Sequence, residues 1–519
     1  MILITSAAYV NPSLVSELSK LPPCMLPVQN KRLYMHQISL FEGRGEKIFI
    51  SLPASYDLPI YDKRILKEYG VNTIFVPDSL NLGQSVVYCI NSAGLYNEPL
   101  YILHGDTLFD AINLTPDSYS VARAEDNYTW ASIDNQDQFV YAGFFAFSSP
   151  SLLIKKIIDC TNNFIGGLEA YMADKPMKRF VCNDWKDFGI VNTYYRSISQ
   201  MTTQRAFNSL KGNRYSIRKS SKDITKMGAE ANWIQSLPKE LKHYAPALWD
   251  YGVEGDRGYY EIEYYYLSSL ANLYVFTHHP LFVWNEIMES CLSFLDDISK
   301  FRPSDDSLLN SIANQNNSLY LPKTLVRLEQ YSKQSGMSID APMVINGTSV
   351  PSLRDIAIET GTLIAADKRE FVTLMHGDFC FSNILYDFRS KTIKVLDPRG
   401  IDLNGNMMIF GDIRYDVAKL AHSILGLYDF IIGGMFTVNA DGEYDLSLEI
   451  SVPPQVLSLQ ESFKNHKIGN YDIDELSVYP IMVHLFLSML PLHNDNPERQ
   501  KAMLANALRL YVELKERYK

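Results

Sequence analysis

The 519-residue chain reads as two units in tandem. Residues 1–200 predict an α/β domain on a mostly parallel sheet. Residues 201–519 predict an α+β domain in two lobes, about 201–268 and about 269–519. Three observations lead there. Short strand-like runs alternate with helical ones over the first 200 residues. From about Arg205 to Tyr266 the pattern changes to antiparallel strands around one helix, and from about Val275 helical periodicity dominates. At about 150 residues per domain the length allows roughly three compact bodies, in keeping with one domain and two lobes.

The strand runs of the first unit are Ile2–Thr5, Lys47–Ser51, Thr73–Val76, Leu100–His104 and Phe139–Phe147, with helical patterns such as Val86–Gly94 and Ser151–Cys160 between them. That alternation predicts helices on both faces of the sheet, with ligands beyond the carboxyl ends of the strands. In the second unit, Phe371–Leu374 is expected to be helical and to lead into a loop, and Arg499–Tyr518 predicts a terminal helix. Asp441–Tyr479, with Pro453-Pro454 and several polar turns, reads as an insertion or a long connection. No repeat or low-complexity tract is present, and no Gly/Pro-rich linker marks Ser199–Arg205, so the boundary is set from motifs.

Composition narrows the function classes. Apolar residues make up 46% and charged residues 21%, which excludes disordered and fibrous chains. A net charge of −11 argues against nucleic acid or an anionic membrane as partner. Phosphorylated small molecules need only a locally positive pocket and stay open. The 33 Tyr and 25 Phe against 5 Trp suit ring stacking on sugars and bases, but core and strand packing is the plainer reading. Cys24, Cys89, Cys160, Cys182, Cys291 and Cys380 are scattered without metal-ligand spacing and read as reduced thiols. The start, Met1 to Ala8, lacks a basic stretch and fits a buried strand better than a signal peptide. Apolar stretches such as Ile481–Leu492 fall short of the roughly 20 residues of a membrane span. A cytoplasmic location is expected; self-association into a homo-oligomer is left open.

The most informative stretch is His376-Gly377-Asp378-Phe379-Cys380-Phe381-Ser382-Asn383, followed by Val395-Leu396-Asp397. Phosphoryl transfer from ATP needs a carboxylate to orient the attacking hydroxyl and hard oxygen ligands for Mg²⁺. Asp378 precedes Asn383 by five positions, and Asp397 stands at the end of the strand Lys391–Leu396. The bland alternative is a capping Asp with an unrelated Asp nearby; triplet, spacing and strand-end Asp together argue against it. Upstream, Gly212 to Lys219 reads as a turn into a strand. Eleven residues on, Glu230 lies in the helical Ala229–Ile234. A strand Lys held by a helix Glu positions ATP phosphates in kinases, although most such pairs are solvated surface charges. Tyr260-Glu261-Ile262-Glu263-Tyr264 reads as a strand leading to an adenine-contacting hinge or as a plain amphipathic strand.

From about residue 205 to 519 these motifs resemble the aminoglycoside phosphotransferase and choline kinase family, small-molecule kinases with a protein-kinase-like α+β fold. The resemblance implies that Asp378 is the catalytic base or hydroxyl-orienting group. It implies that Asn383 and Asp397 bind Mg²⁺, that Lys219 contacts the ATP phosphates with Glu230 holding it, and that Gly212, Glu263 and Tyr264 line the nucleotide site. Asp416 resembles the family's helix-anchoring Asp. Asp397-Pro398-Arg399-Gly400 departs from the protein-kinase Asp-Phe-Gly; Arg399 is open to a surface or capping role, or to reaching an anionic substrate group.

Residues 1–200 resemble the sugar-phosphate nucleotidyltransferases, with a Rossmann-like α/β fold. The resemblance rests on Ser6-Ala7-Ala8, Leu26 to Leu33, Leu82-Gly83-Gln84-Ser85, Tyr101 to Thr107, Ala142 to Phe147 and Asp184-Trp185-Lys186-Asp187-Phe188-Gly189. It implies Mg²⁺ on Asp106 and Asp187, and a second nucleoside triphosphate at Ala7, Ala8, Gly83 and Gln84. The family's Gly-rich phosphate loop is absent, and Cys24 stands where its Lys would be. Lys20, Lys31 or Arg32 could restore the charge. Two readings follow: an altered triphosphate grip, or a binding or scaffold unit.

Together these resemblances imply a bifunctional enzyme with ATP and a second NTP as substrates. It would phosphorylate a sugar, polyol or amino alcohol and then transfer a nucleotidyl group to that phosphate, giving an activated precursor for surface polysaccharides. The alternatives are a kinase with a non-catalytic N-terminal domain, and a regulatory nucleotide sensor with neither chemistry.

Overall fold

The run Ile2–Thr5 (β1) is apolar or β-branched throughout and almost wholly buried, as a strand flanked by neighbours on both sides must be. The computed structural model describes residues 1–94, 96–124, 139–201, 208–212, 215–364 and 369–518, the side chains of 208–212 and Asn317 excepted. The chain divides into two compact units, Met1–Met201 and Thr202–Lys519.

In the first unit β1 is joined by β2 (Ile48–Pro53), β3 (Asn72–Val76), β4 (Leu100–His104), β5 (Ser118–Arg123), β6 (Phe139–Phe147) and β7 (Lys178–Val181). The sheet order is β7-β5-β6-β4-β1-β2-β3. Four of its six pairings are parallel; β6 runs antiparallel to both β4 and β5. Alternate residues of β1 feed two apolar layers. Ile2 and Ile4 pack with Tyr34, Ile50 and Leu52, whereas Leu3 packs with Val86, Ile102, Phe145 and Leu153. Strands β5 and β7 carry too few consecutive apolar residues to be read from the sequence.

The helix expected at Val86–Gly94 begins a turn earlier, as α1 (Leu82–Ala93). Asn81 accepts a hydrogen bond from the Gln84 N–H at 2.9 Å, and Gln84 Oε1 accepts one from the Asn81 N–H at 3.0 Å. This capping box satisfies two donors that would otherwise be orphaned. Gly83 is buried, and a methyl group there would overlap the Asn162 carbonyl.

In the second unit the antiparallel sheet has the order β8-β9-β11-β10, from β8 (Asn208–Gly212), β9 (Ser216–Ser221), β10 (Leu248–Glu254) and β11 (Arg257–Glu263). Helix α2 (Ile224–Ser236), capped by Asp223, buries Met227, Glu230, Trp233 and Ile234. The remainder is largely helical: α3 (Leu281–Ser299), α4 (Leu321–Ser335), α5 (Ile413–Ile424), α6 (Val478–Met489) and α7 (Pro497–Arg517). Every residue of α5 is buried and α6 is nearly apolar all round, so both are interior helices. Short strands β12 (Val372–Leu374), β13 (Ile384–Asp387), β14 (Thr392–Val395) and β15 (Phe410–Asp412) carry the loops between them.

Two expectations are corrected. Of Phe371–Leu374 only Phe371 is helical, as the end of a single 3-10 turn; Val372–Leu374 is β12, which pairs antiparallel with β15 and is buried on both faces. Four residues, three of them apolar, are too few for a helical period to be told from a buried strand. Of the two readings of Asp441–Tyr479, the long connection falls: the hairpin Phe436–Ala440/Asp445–Ile450 leads into a helix over Pro454–Lys464. Among the described residues no helix is long and apolar enough to cross a membrane.

Gly83→Ala is expected to lower the stability of the first unit by about 1–3 kcal/mol through overpacking against Asn162. Urea unfolding followed by fluorescence measures this, with Gly166→Ala, whose added methyl group meets only ordinary contacts, as control.

Candidate functional site

Lys219 lies in β9 directly opposite Tyr260 of β11, so both side chains share one face of the sheet. The Lys219 ammonium lies 2.6 Å from Glu230 Oε2 on α2 and 3.0 Å from Asp397 Oδ1. Tyr260 closes the cluster, donating to Glu230 at 2.8 Å and also lying 3.1 Å from Asp397. Burial alone would push Lys219 down, but Asp397 and Glu230 hold it above the usual lysine value. Burial raises Glu230, with Lys219 opposing, whereas Lys219 outweighs desolvation at Asp397 and lowers it. The cluster therefore holds a charged ammonium between two carboxylates, one deeply buried and one 40% exposed.

The loop His376–Asn383 is shaped from below. Asp416 on α5 accepts the His376 N–H at 2.6 Å and the Gly377 N–H at 2.7 Å. Gly377 has φ +82° and turns the chain so that Asp378 follows the anchor. The Asp378 N–H donates to His376 Nδ1 at 3.2 Å, and burial lowers His376 to about 4, so the ring is neutral. Asn383 Nδ2 donates to the Asp378 carbonyl and to its Oδ2, both at 3.0 Å. Lys419, one turn beyond Asp416 on α5, ion-pairs Asp378 Oδ1 at 2.8 Å. Desolvation alone would raise Asp378, but Lys419 outweighs it and holds the carboxyl far below the ordinary range.

The two clusters are bonded through the backbone. The Leu396 N–H donates to the Asn383 carbonyl at 2.9 Å, and the Arg399 N–H to the His376 carbonyl at 2.8 Å. Gly400, with φ +65°, lies so close to α2 that a methyl group there would overlap the Ala229 carbonyl. Asp378, Asn383, Asp397, Lys219 and Glu230 thus belong to one constellation. Sequence reasoning missed Lys419 and treated Tyr260 only as part of a strand. The signals were the i, i+3 spacing from Asp416 and the strand alternation that puts Tyr260 and Ile262 on one face.

The hinge expectation fares differently. Glu263 is three residues from Tyr260 and so lies on the opposite face of β11, where it lines a cavity of about 620 Å³ with Ala247, Trp249 and Lys394. The Tyr264 N–H is taken by the Tyr215 carbonyl at 2.9 Å, and its ring packs edge-on against Tyr266. Neither residue makes a described contact with the Lys219 cluster. Gly212 ends β8 opposite Ile217; Asn213 and Arg214 of that turn lie outside the described residues.

In the first unit Ala7, Ala8 and Asp106 line a cleft of about 260 Å³ together with Tyr9, Ser85 and Gly189. Asp187 pairs with Thr107 in a two-residue ladder that brings it beside Asp106. A methyl group on Gly189 would sit 2.8 Å from Asp106 Oδ2 and 3.3 Å from Asp187 Oδ1, so both carboxylates face the space that Gly189 leaves. Burial raises Asp106 above the carboxylate range. Gly83 and Gln84 do packing and capping work instead of facing this cleft. Cys24 is fully buried, accepts no charge and has its thiol pushed up to about 12 by burial. Arg32 is buried against Asp62 at 3.5 Å. Lys20 Nζ lies 4.1 Å over the ring of Tyr9, at the cleft lining.

Among the described residues no three His, Cys, Asp or Glu side chains form a ready metal cage. Mg²⁺ does not require one, since it binds through one or two protein oxygens and completes its shell with phosphates and water. Asp397 with the Asn383 amide oxygen, and Asp106 with Asp187 around Gly189, offer hard oxygen donors of that kind.

No protein-family model and no curated protein matches this chain. Solved structures show weak likeness. One is aminoglycoside-3'-phosphotransferase of type VIII, at 12% identity and TM-score 0.32, covering 53% of this chain and 86% of that one. Another is aminoglycoside phosphotransferase APH(4)-Ia, at 12% identity and TM-score 0.34, covering 60% and 92%. A third, HddC from Yersinia pseudotuberculosis, has 19% identity and TM-score 0.30 over 38% of this chain and 98% of that one. Likeness this weak decides nothing about activity.

Burial raises the Asp416 carboxyl to about 7 despite its two N–H donors. Its protonated form therefore contributes stability that is complete below its ordinary value of 3.8 and is lost as pH rises through about 7. Asp416→Asn cannot titrate. The melting-temperature difference between wild type and this variant is expected to shrink steadily from about pH 4 to about pH 7, as calorimetry would record.

Proposed function

We propose that residues 202–519 form an ATP-dependent kinase for a small hydroxylated metabolite. The observation that carries this reading is the joining of Lys219–Glu230–Asp397 and Lys419–Asp378–Asn383 into one backbone-linked constellation. Phosphoryl transfer depends mostly on positioning and charge stabilisation, and these groups supply both. Lys219, held by Glu230, engages the phosphates of ATP. Mg²⁺ bound by Asp397 and Asn383 would neutralise charge on the phosphate chain. Asp378 orients the acceptor hydroxyl, whose oxygen bonds to the γ-phosphorus as the bond from that phosphorus to the bridging oxygen of ADP breaks. The hydroxyl proton passes to Asp378, which is thereby neutralised; before that, Lys419 offsets the negative charge of the Asp378 carboxylate.

For residues 1–201 we propose the following step: attack of the new phosphate on the α-phosphorus of a second nucleoside triphosphate, with release of pyrophosphate. The convergence of Asp106 and Asp187 around Gly189, next to the cleft of Ala7 and Ala8, supports it. The product would be an activated precursor, with surface polysaccharide synthesis as its use. One observation favours a second reading, in which this unit only binds nucleotide or product: Cys24 is a buried neutral thiol and Arg32 is engaged with Asp62, so two expected phosphate-side positions carry no available charge.

Phosphorus NMR of the protein with ATP, Mg²⁺, each NTP and a panel of sugars, polyols and amino alcohols tests both steps. ADP is expected to form, and Asp378→Ala should slow this by roughly 10²–10⁴-fold. Pyrophosphate release that Asp106→Ala abolishes would support nucleotidyl transfer. ADP without pyrophosphate under every NTP would leave only the binding role.

Lys419→Met removes the cation that outweighs desolvation at Asp378, so that carboxyl should rise. The acid limb of kcat/KM is expected to move up by at least about one pH unit. An unmoved limb would deny Lys419 this role.

A further inference from the structure

The charges around Asp378 do not cancel. Asp378 itself is balanced by Lys419 at 2.8 Å. Asp412 is balanced by Arg414 at 2.7 Å and also accepts the Tyr320 hydroxyl at 2.8 Å. Asp416 is spent on two backbone N–H groups. On the same side stand two further cations, Arg399 and Lys323, and among the described residues neither is ion-paired with a carboxylate. Both gather on Tyr415, the Arg399 guanidinium 4.3 Å and the Lys323 ammonium 5.7 Å from its ring centre. Arg327, one turn along α4 from Lys323, adds a third positive group.

These cations are held in place. The Arg399 N–H is bonded to the His376 carbonyl, and its stem packs on Gly377, the residue before Asp378. Arg399 and Lys323 are half-buried, so each has lost part of its hydration; Asp378 and Asp416 attract Arg399 from a distance, but among the described residues no carboxylate is in ion-pair contact with either cation. Tyr415 reports the resulting field. Burial would raise its hydroxyl, yet Arg399, Lys323 and Lys419 together hold it below the usual tyrosine range. Tyr415 raises Lys323, but burial and the neighbouring cations Arg399, Lys419 and Arg327 outweigh it.

We infer that the acceptor carries an anionic group of its own, a carboxylate or a phosphate, bound by Arg399 and Lys323 against Tyr415 while its hydroxyl faces Asp378. A planar guanidinium stacked on a ring keeps donors at its edge for two oxygens of one anion, and the ammonium adds a compact charge beside it. A cationic amino alcohol would meet repulsion at the same place. The inference rests on the kinase reading, because it takes Asp378 as the group that faces the reacting hydroxyl.

Calorimetry separates the two. Glycerol, glycerate and glycerol 1-phosphate, and glucose, gluconate and glucose 6-phosphate, are titrated with choline into the full chain. Mg·ATP is titrated in parallel. At least one anionic member of a set should bind tenfold or more tighter than its neutral parent, and choline should not bind. The carboxylate and phosphate arms distinguish the two anions. Arg399→Gln with Lys323→Gln should weaken the anion at least tenfold and leave Mg·ATP within twofold; Arg399→Lys with native Lys323 should recover part of the loss. Circular dichroism melts confirm that the variants fold. Anions binding no better than neutral parents, or a loss that falls on Mg·ATP instead, overturns the inference. Anion binding with no Mg·ATP binding overturns the kinase reading instead.

Discussion

The ammonium of Lys219, shared between Glu230 and Asp397 and flanked by Tyr260, is the interaction on which the rest of the second unit depends. It ties a strand of the antiparallel sheet, the helix packed on that sheet and a strand-end loop of the helical part into one electrostatic knot. Charges taken so far out of water are costly unless each is met by an opposite charge or a donor. Here Glu230, 1% exposed, has both Lys219 and the Tyr260 hydroxyl. Because Asp397 remains 40% exposed, the cluster stays open on one side, where a phosphate chain could replace the carboxylate as partner of Lys219.

The neighbouring loop is organised by backbone constraints that serve this knot. Gly400 lets the chain that follows Asp397 run close against α2 at Ala229, and Gly377 lets the loop turn so that Asp378 follows the anchor supplied by Asp416. A side chain at either glycine would separate the two halves of the constellation. The same economy governs the first unit, where Gly189 leaves the space that Asp106 and Asp187 face and Gly105 presses against the end of β1. Close approach of backbones, which only glycine permits, determines where carboxylates can converge.

Much of this was legible before any fold was known. The strands Ile2–Thr5, Leu100–His104 and Phe139–Phe147 are visible because they are buried on both faces and so unbroken by polar residues. β5 and β7 were not, since an edge or partly exposed strand carries mixed residues. The start of α1 was missed although Asn81 and Gln84 spell a capping box, a signal that periodicity does not contain. Phe371–Leu374 misled because so short and mostly apolar a run fits helix and buried strand equally.

By itself the sequence determined the local chemistry: a carboxylate five residues before an amide, a strand-end Asp, and a Lys and a Glu eleven apart. These depend on spacing along the chain and on the period of its elements. Only the tertiary structure decided which charges meet. Lys419 balances Asp378, Tyr260 bridges Glu230 and Asp397, Glu263 turns to the other face of its strand, Arg32 disappears into a pair with Asp62, and Arg399 and Lys323 gather on Tyr415 with no carboxylate in ion-pair contact among the described residues. The reason is physical. A charge is defined by its side chain, but its value to a site depends on distance, burial and compensation, and those belong to residues far apart in sequence.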